Sequence, residues 1–438
     1  MNFHELIQDR GVQAAGAVLI GLFVFFNVVE FAWSQLRKNN FFTFSSLLIN
    51  VTLAFLQQLT DVFNKLIFIL GYVYVLENFS VQQLMGMHKI PLGFPVTFDS
   101  NFPFIQVHLI HLLTWISILI IADFCQYWLH RLSHEVNILW AGHIVHHSME
   151  AYNFAVALRQ SFIESLYTWI FYLPLAFLGI PWQLFIMAYT ISLAWQFLVH
   201  TRYINKLSWL ETIFSTPSHH RVHHGKNEIY IDKNYGAFLI IWDKLFGTFE
   251  PETEEVQYGI KFNIDTHNPV WVNTHHHLRI WKLFTGTKSF TNKIKILFGR
   301  PAFIPGDCHV EDIPVYQTQE ITSLKKIYVL FNFLLIVIFS VMQLIRFESG
   351  GNIFFFSISA IIIFSSHSIN ISLLEGRRWA DKAEIARLLL LVMAGIILNV
   401  AVEWRQGLSV AVTAIILLGF TYWIAIDYQD KSVSREAR

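Results

Sequence analysis

Cysteine and charged residues are scarce in this sequence of 438 residues. The two cysteines, Cys125 and Cys308, lie far apart and match no metal or redox spacing, so we interpret both thiols as packing residues. Lysine and arginine together number 31, as do aspartate and glutamate, and this zero net charge argues against a nucleic-acid partner. Soluble domains carry about 25% charged residues. The 14% found here indicates a different surrounding medium.

Hydrophobic residues are abundant instead. They make up 54% of the chain, and the mean hydropathy of +0.45 is typical of a membrane protein. Apolar runs long enough to cross a bilayer predict an all-α, polytopic membrane protein with about eight or nine transmembrane helices. These runs cover residues 14–33, 44–76, 105–124, 160–178, 182–200, 327–345, 353–374, 385–404 and 409–426.

Two of these runs need interpretation. We expect run 14–33 to be a retained span, because it is too long and too aromatic for a cleaved signal peptide. Run 44–76 is interrupted by Gln57, Gln58, Asp61 and Lys65. A single crossing, a re-entrant segment and two half-helices therefore all remain open.

The placement of lysine and arginine predicts how the chain is organised across the membrane. Basic clusters follow the first, seventh and last runs, and they share one side with residues 130–324 if run 44–76 crosses once. The positive-inside rule makes this side cytoplasmic. We expect four regions: an N-terminal transmembrane region (1–104), a histidine-rich region (105–260), a cytoplasmic-face linker (261–324) and a four-span C-terminal region (325–438). Runs 160–178 and 182–200 predict a hairpin that returns His200 to the face on which Gln160 lies.

Histidine is concentrated in three short motifs, HRLSH, HIVHH and HRVHH. Within each motif the spacing is i, i+3 or i+4, which places the rings on one face of a helix. This many neutral imidazoles predict two metal ions, and an all-nitrogen set favours redox-active iron, although imidazole alone does not exclude zinc. The candidate ligands are His130, His134, His143, His146, His147, His200, His220, His223 and His224.

The other histidines are interpreted differently. His219 lies outside the HxxHH register, and we expect it to support the ligands without being one. Residues 275–277 (HHH) lack a helical partner spacing and are expected to lie at the surface or to be secondary. Scattered histidines are expected to be ordinary polar residues, and they are His4, His88, His108, His111, His309 and His367.

Metal-bound histidines usually donate their second ring nitrogen to a carboxylate or a carbonyl. Carboxylates near the motifs are therefore candidates to orient the rings, and an ordinary solvated or interfacial charge is the alternative for each. They are Asp123, Glu135 and Glu150, and Asp232 and the amide side chain of Asn234 are similarly close in sequence. We predict no catalytic side chain separate from the metal ligands.

The motifs resemble those of the fatty acid hydroxylase and sterol desaturase superfamily of membrane di-iron enzymes. Similarity to its alkylglycerol monooxygenase branch is closer and runs from about Asp123 to Gly259, including HEVNILWAGHIVHHSMEAYNFAVALRQS, YIDKNYG and LIIWDKLFGTFE. The resemblance implies that the eight motif histidines bind two irons and that His200 adds a ninth ligand. Gln196 stands where some relatives carry another histidine, which leaves the coordination number of one iron open.

The resemblance also implies an activity. It is the hydroxylation of the ether-linked alkyl carbon of glyceryl ethers by O2 and tetrahydrobiopterin, which yields a fatty aldehyde and a glycerol derivative. No motif identifies pterin-binding residues, and Tyr152, Asn153, Tyr230 and Tyr235 are candidates to meet the lipid head or the pterin.

The implied partners are a membrane lipid and a pterin-recycling reductase. The implied location is the endoplasmic reticulum in a eukaryote or the plasma membrane in a bacterium. Alternatives with the same metal site are a sterol C-4 methyl oxidase, a desaturase or a fatty acyl hydroxylase. A metal transporter is disfavoured, because transporters place ligands near the bilayer midplane and these motifs begin where run 105–124 ends.

Overall fold

The computed structural model describes residues 10–39, 41–86, 109–306 and 321–401. Within these ranges the protein is helical, and β-pairing is limited to the isolated bridges Phe214–Leu239 and Gly225–Tyr258. In the N-terminal half the α-helices are α1 (Arg10–Arg37), α2 (Phe44–Phe79), α3 (Val81–Leu84), α4 (Leu109–Glu135), α5 (Asn137–His147), α6 (Ser165–Thr168), α7 (Leu173–Phe177) and α8 (Trp182–Leu198). They are followed by α9 (Pro217–His223), α10 (Ile241–Phe246), α11 (Pro269–Gly286), α12 (Phe290–Phe298), α13 (Ser323–Glu348), α14 (Ile353–Leu374) and α15 (Arg378–Ala401). Short 3-10 turns cover Phe154–Leu158, Trp169–Tyr172 and Ser208–Thr212.

Four of the described helices are long and apolar enough to cross a membrane. These segments are Phe44–Asn64, Leu112–Glu135, Ser323–Phe347 and Ile353–Leu374. The chain is thus an integral membrane protein, as its composition predicted. The count of eight or nine spans stays a prediction, and run 409–426 lies outside the described residues.

The interrupted run 44–76 forms one continuous helix, so two half-helices are ruled out. Thr43 caps this helix by accepting a hydrogen bond from the Ser46 amide at 3.1 Å. The polar side chains along it do not break the helix because the backbone hydrogen bonds within a helix are independent of side-chain polarity. Among them, Asn64 donates to Ser165 Oγ at 2.6 Å.

Run 160–178 does not form the predicted membrane-spanning helix. It is divided into α6, the 3-10 turn Trp169–Tyr172 and α7, and Pro174 at the start of α7 lacks the amide needed to continue a preceding helix. The hairpin prediction was therefore wrong for its first arm. Its consequence nevertheless holds, because His200 Nε2 lies 3.2 Å from His146 Nε2 and His146 Nδ1 lies 3.2 Å from the Arg159 carbonyl oxygen.

Residue contacts group the chain into two compact units, residues 1–263 with 273–311, and residues 264–272 with 312–438. The predicted division into four regions stays a prediction. In the first unit, α2, α4, α7 and α8 enclose a core that contains Tyr72, Cys125, Leu175 and Phe185. The Tyr72 hydroxyl donates to the Ile180 carbonyl at 2.9 Å. Cys125 is a free, buried thiol, as expected for a packing residue, and Cys308 lies outside the described residues.

In the second unit, a buried ion pair links positions three residues apart on α15. Arg387 contacts Glu384 at 2.5 Å and also donates to Asn332 on α13 at 3.0 Å and to Ser366 on α14 at 3.1 Å. These hydrogen bonds join α15 to α13 and α14, and the pairing offsets part of the cost of burying the two charges. His367 is buried on α14 beside Phe333, with 6.0 Å between ring centroids.

Candidate metal centre

The nine candidate histidines are brought together in the first unit as two groups, and all nine are buried. Within each group, one ring nitrogen per residue lies within 4.8 Å of the others. The first group is His130, His134, His143, His147 and His223. The second group is His146, His200, His220 and His224.

The i, i+4 spacing of the motifs decides which histidine joins which group. Each motif contributes one i, i+4 pair to a single group, because positions four apart on a helix lie nearly one above the other. His130 with His134 on α4 and His143 with His147 on α5 are the pairs of the first group, and His220 with His224 at the end of α9 is that of the second.

Each of the two remaining motif histidines belongs to the group that does not contain the i, i+4 pair of its own motif. His146 turns about 100° away from His147 on the helix and joins the second group, while His223 joins the first. His200 follows α8 and completes the second group. Helices α5 and α9 thus lie between the two groups and contribute to both.

Backbone carbonyls fix the ring tautomers of four of these histidines. In each case Nδ1 lies within hydrogen-bonding distance of a carbonyl oxygen, which can only accept, so Nδ1 carries the proton and donates it. Nε2 is then an unprotonated lone pair. The four contacts join His130 to Tyr235 (2.7 Å), His146 to Arg159 (3.2 Å), His200 to Gln196 (2.6 Å) and His223 to Lys233 (3.0 Å).

These lone pairs point at one another. His146 Nε2 and His200 Nε2 are 3.2 Å apart, and the carbonyl contacts leave neither of them a proton to share. Among the residues that the structure describes, neither His223 Nε2 nor His134 Nε2 has a hydrogen-bond partner, and both atoms are buried. Converging, unsatisfied nitrogens are costly unless a cation lies between them. The donor set therefore fits metal ions that accept imidazole nitrogen.

Burial keeps the rings in the neutral form that metals require. It lowers the pKa of His200 to about 4 and that of His223 to about 3, through loss of hydration of the charged ring. Burial also lowers the pKa of His146, His220 and His224 well below the usual value, and neighbouring histidines add to this effect.

One carboxylate beside the centre was missed by sequence reasoning. Glu164 Oε1 lies 3.1 Å from His143 Nδ1, and its side chain is only 12% exposed. A carboxylate contact of this kind orients a ligand ring and raises its basicity. The available signal was a charged residue inside apolar run 160–178, since such residues are usually functional.

The proposed orienting carboxylates contact other partners. Asp123 accepts hydrogen bonds from the amides of Phe238 and Leu239 and from the indole of Trp242, and so anchors the segment that precedes and begins α10. The expectation that it orients a ring was therefore wrong, because its helical position turns it toward that segment.

Glu135 and Glu150 also point elsewhere. Glu135 pairs with Arg131 at 3.1 Å, and Glu150 accepts from Asn263 at 2.7 Å. Asp232 comes closer to the centre, with Oδ1 4.0 Å from His134 Nδ1.

His219 belongs to neither group, because its ring points away and packs edge-on against Phe249. Its backbone carbonyl accepts a hydrogen bond from Asn234, which holds the YIDKNYG segment against α9. Gln196 contributes its carbonyl to His200, while its amide nitrogen lies 3.2 Å from Ser192 Oγ.

The HHH run lies on α11, and His275 and His276 are buried, which corrects the expectation of a surface position. Helix packing explains the difference, since His276 Nε2 lies 2.8 Å from Asn137 Oδ1 at the start of α5. The side chain of His111 and the residues His4, His88, His108 and His309 lie outside the description.

Comparison with known proteins bears on this centre. Residues 115–248 match the fatty acid hydroxylase family model. These residues form a fatty acid hydroxylase domain. All nine histidines of the two groups lie inside it.

The chain carrying the fatty acid hydroxylase domain is 40% identical over 301 residues to alkylglycerol monooxygenase of Homo sapiens, a match covering 67% of this chain and 62% of the relative. It is 39% identical over 298 residues to alkylglycerol monooxygenase of Xenopus tropicalis, covering 67% of this chain and 60% of the relative. It is also 37% identical over 145 residues to ornithine lipid hydroxylase OlsE of Rhizobium tropici, covering 32% and 44%. The chain thus spans about three fifths of the length of the alkylglycerol monooxygenases it matches. No solved structure matches it.

Proposed function

We propose that this protein is a membrane di-iron monooxygenase that hydroxylates the ether-linked alkyl carbon of glyceryl ethers with O2 and tetrahydrobiopterin. The observation that carries the metal centre is the convergence of buried, unprotonated Nε2 atoms in two adjacent groups. The substrate class is supported by the similarity to alkylglycerol monooxygenases. The pterin follows from the resemblance of the histidine motifs and the YIDKNYG segment to that branch of the superfamily.

Each of the two histidine groups would hold one metal ion. The first group offers five nitrogens, which exceeds the four ligands of a structural zinc site and suits a metal of higher coordination number. The second group offers four nitrogens. When bound, two iron ions would supply the activation of O2 needed to oxidise an unactivated C–H bond. Carbonyls at Arg159 and Gln196 would keep His146 and His200 aimed at the second ion.

The reaction balances with a pterin as reductant. One O2 and one C–H bond yield an alcohol and water only if two electrons and two protons are added, and the oxidation of a tetrahydropterin to a dihydropterin provides both. Hydroxylation at the carbon next to the ether oxygen gives a hemiacetal, which collapses to a fatty aldehyde and a glycerol derivative.

The position of the centre suits a lipid substrate. His130 and His134 lie at the C-terminal end of the candidate span Leu112–Glu135, so the centre lies at one end of a membrane-crossing segment. Exposed apolar side chains on that span, including Leu112 and Ile116, face the surroundings into which an alkyl chain would extend. We further propose that this end faces the cytoplasm, in the endoplasmic reticulum or the plasma membrane, and that a pterin-recycling reductase supplies the cofactor.

The test combines metal analysis with product analysis. Protein purified without oxygen is expected to contain two irons per chain, and His223→Ala is expected to lose iron because it removes a ligand of the first group. His277→Ala, a histidine outside both groups, is the matched control and is expected to retain both irons. Retained zinc in place of iron would count against the proposal.

The substrate is tested by supplying a glyceryl ether with and without tetrahydrobiopterin. Fatty aldehyde is expected only when the pterin is present. No aldehyde in either reaction would refute the ether-lipid assignment, and a hydroxylated acyl lipid or sterol under the same conditions would support the alternatives with the same metal centre.

A further inference from the structure

A water-accessible cleft of about 600 Å³ lies beside the second histidine group. One wall is segment 252–258, and the other includes Phe41, Arg202 and Lys206. The cleft is lined by three acidic and three basic side chains, so it suits a polar ligand better than an alkyl chain. Its size is in the range of ordinary small-molecule sites, which are about 300–1,000 Å³.

A stack of aromatic rings connects Tyr258, which lines this cleft, to the metal centre. Tyr258 lies parallel to Tyr152, with 4.6 Å between centroids and an interplanar angle of 7°. Tyr152 in turn stacks on His200 at 5.7 Å and contacts His224 at 5.2 Å. A ligand on the open face of Tyr258 would therefore be two rings away from a candidate iron ligand.

The guanidinium of Arg202 occupies the space over that open face. It lies 5.3 Å from the Tyr258 centroid and 3.7 Å from the Phe41 centroid. Its ion pair with Glu255 is long, 3.8 Å, and Glu255 is 91% exposed, so this contact holds Arg202 only weakly. Phe41 and Tyr258 thus both contact one flat group, the Arg202 guanidinium, and the ion pair with Glu255 adds little to the free energy needed to displace it.

The rest of the cleft supplies acceptors for such a group. Arg221 already binds Glu252 through two hydrogen bonds of 2.8 and 2.7 Å, which fixes that carboxylate in the wall. Glu254 and Glu255 are exposed and have room to accept from an amino-substituted ring edge. A pterin ring carries a guanidine unit along one edge, and its flat faces suit stacking on aromatic side chains.

We propose that this cleft binds the reducing pterin, with its ring stacked between Tyr258 and Phe41 in the place of the Arg202 guanidinium and its amino edge toward the acidic wall. This inference rests on the proposed function, which requires a pterin that gives up two electrons and two protons per turnover. Position supports it, because the cleft is open to water while Tyr258, which lines it, is connected to His200 through Tyr152.

The test measures binding without turnover. Full-length protein loaded with iron is equilibrated in lipid nanodiscs with 7,8-dihydrobiopterin, which is already oxidised, and bound pterin is measured by equilibrium dialysis. Tyr258→Leu and Phe41→Leu are each expected to raise Kd about tenfold, because loss of one stacking face weakens ring binding by roughly that factor. Tyr258→Phe keeps the ring and is expected to bind as wild type. Trp209→Leu, which removes an aromatic residue that is 67% exposed outside the cleft, is the matched control.

Arg202→Ala distinguishes displacement from direct recognition. If the pterin replaces the guanidinium, this variant binds as tightly as wild type or more tightly. Much weaker binding by Arg202→Ala would overturn the displacement model. Unchanged iron content shows that each variant is folded, and Phe41→Leu keeps the test valid if Tyr258→Leu misfolds, because Phe41 is in a loop and only half-buried.

Two outcomes distinguish an error in the position of the pterin site from an error in the proposed function. Wild-type protein that cleaves glyceryl ether with tetrahydrobiopterin, together with wild-type Kd in both leucine variants, would place the pterin elsewhere and leave the function standing. Wild-type protein that neither binds dihydrobiopterin nor uses tetrahydrobiopterin would remove both.

Discussion

Glu164 provides the sharpest test of how the first histidine group is held. Its carboxylate lies 3.1 Å from His143 Nδ1, and this is the one close carboxylate contact to a ring of the first group among the described residues. We expect Glu164→Ala to lower the affinity of the first group for metal, because His143 loses the partner that orients its ring and increases its basicity.

The magnitude follows from the nature of the contact. Loss of such an outer partner typically costs about 10–100-fold in metal affinity, or about 1.4–2.8 kcal/mol at tenfold per 1.4 kcal/mol. Glu164→Gln keeps an oxygen that accepts from Nδ1 but removes the charge. We therefore expect this variant to lie near the lower end of that range, with Glu164→Ala near the upper end.

The assay is chelator competition on protein purified without oxygen, with bound iron counted at each chelator concentration. The iron of the second group should be released at nearly the same chelator concentration in wild type and in both Glu164 variants. Its ligands His146 and His200 are held by the carbonyls of Arg159 and Gln196, which these substitutions do not change. Glu228→Gln removes an exposed carboxylate paired with Lys261 and serves as control. If Glu164→Ala releases both irons at the wild-type chelator concentrations, the orienting role of Glu164 is refuted.

Two further predictions concern the packing of α5 against the Glu164 segment and the ion pair between Arg221 and Glu252. Gly142→Ala should weaken metal binding in the direction of Glu164→Ala, because its Cβ would come within 2.5 Å of the Tyr167 hydroxyl and push the 164–167 segment away from α5, whereas Gly306→Ala, which meets nothing within 4 Å, should bind iron normally. Burial alone would raise the pKa of Glu252, but hydrogen bonds from Arg221 and Ser218 and the charges of Arg221 and Lys206 outweigh it and hold the pKa below its usual value. The ionised form is thus favoured by folding, so this stabilisation should be complete above the unfolded pKa of about 4.3 and be lost as pH falls through the lower folded value. Thermal unfolding between pH 3 and 6 should show a smaller acid-induced loss in Arg221→Met than in wild type, and identical pH profiles would contradict the pairing.

The ligands were predictable from sequence because their chemistry is local. The spacing of His130 with His134 and of His220 with His224 puts two rings on one helix face whatever the rest of the chain does. The same local rule could not reveal that His146 and His223 join the opposite group from their nearest motif neighbours. That assignment depends on how α5 and α9 are packed between the two groups, and helix packing is not encoded in the spacing of one motif.

Outer contacts were less predictable, since they are made by backbone atoms and by residues distant in sequence. The backbone carbonyls of Tyr235 and Lys233 accept from His130 and His223, and no side chain in the sequence indicates these contacts. Asn234 lies between them with a positive φ of 54°, which a turn in the fold requires. For Asp123, the sequence predicted a contact with a ligand ring that the structure does not contain. It is two turns from His130 on the same helix, yet it contacts segment 238–242, because a helical position sets the direction of a side chain and not its partner.

Carbonyl tethers have a chemical consequence that carboxylate tethers do not share. A carbonyl oxygen is uncharged and cannot take the proton from Nδ1, so His200 and His146 would keep that proton and bind metal as neutral ligands. The Glu164 carboxylate, 3.1 Å from His143 Nδ1, is a stronger hydrogen-bond acceptor than a carbonyl, and such a partner makes a ligand ring a stronger donor to metal. The two groups therefore differ in more than the number of nitrogens. An ion in the first group would lie near the Glu164 carboxylate, which favours a higher charge on that ion than the carbonyl contacts at His146 and His200 do on an ion in the second group.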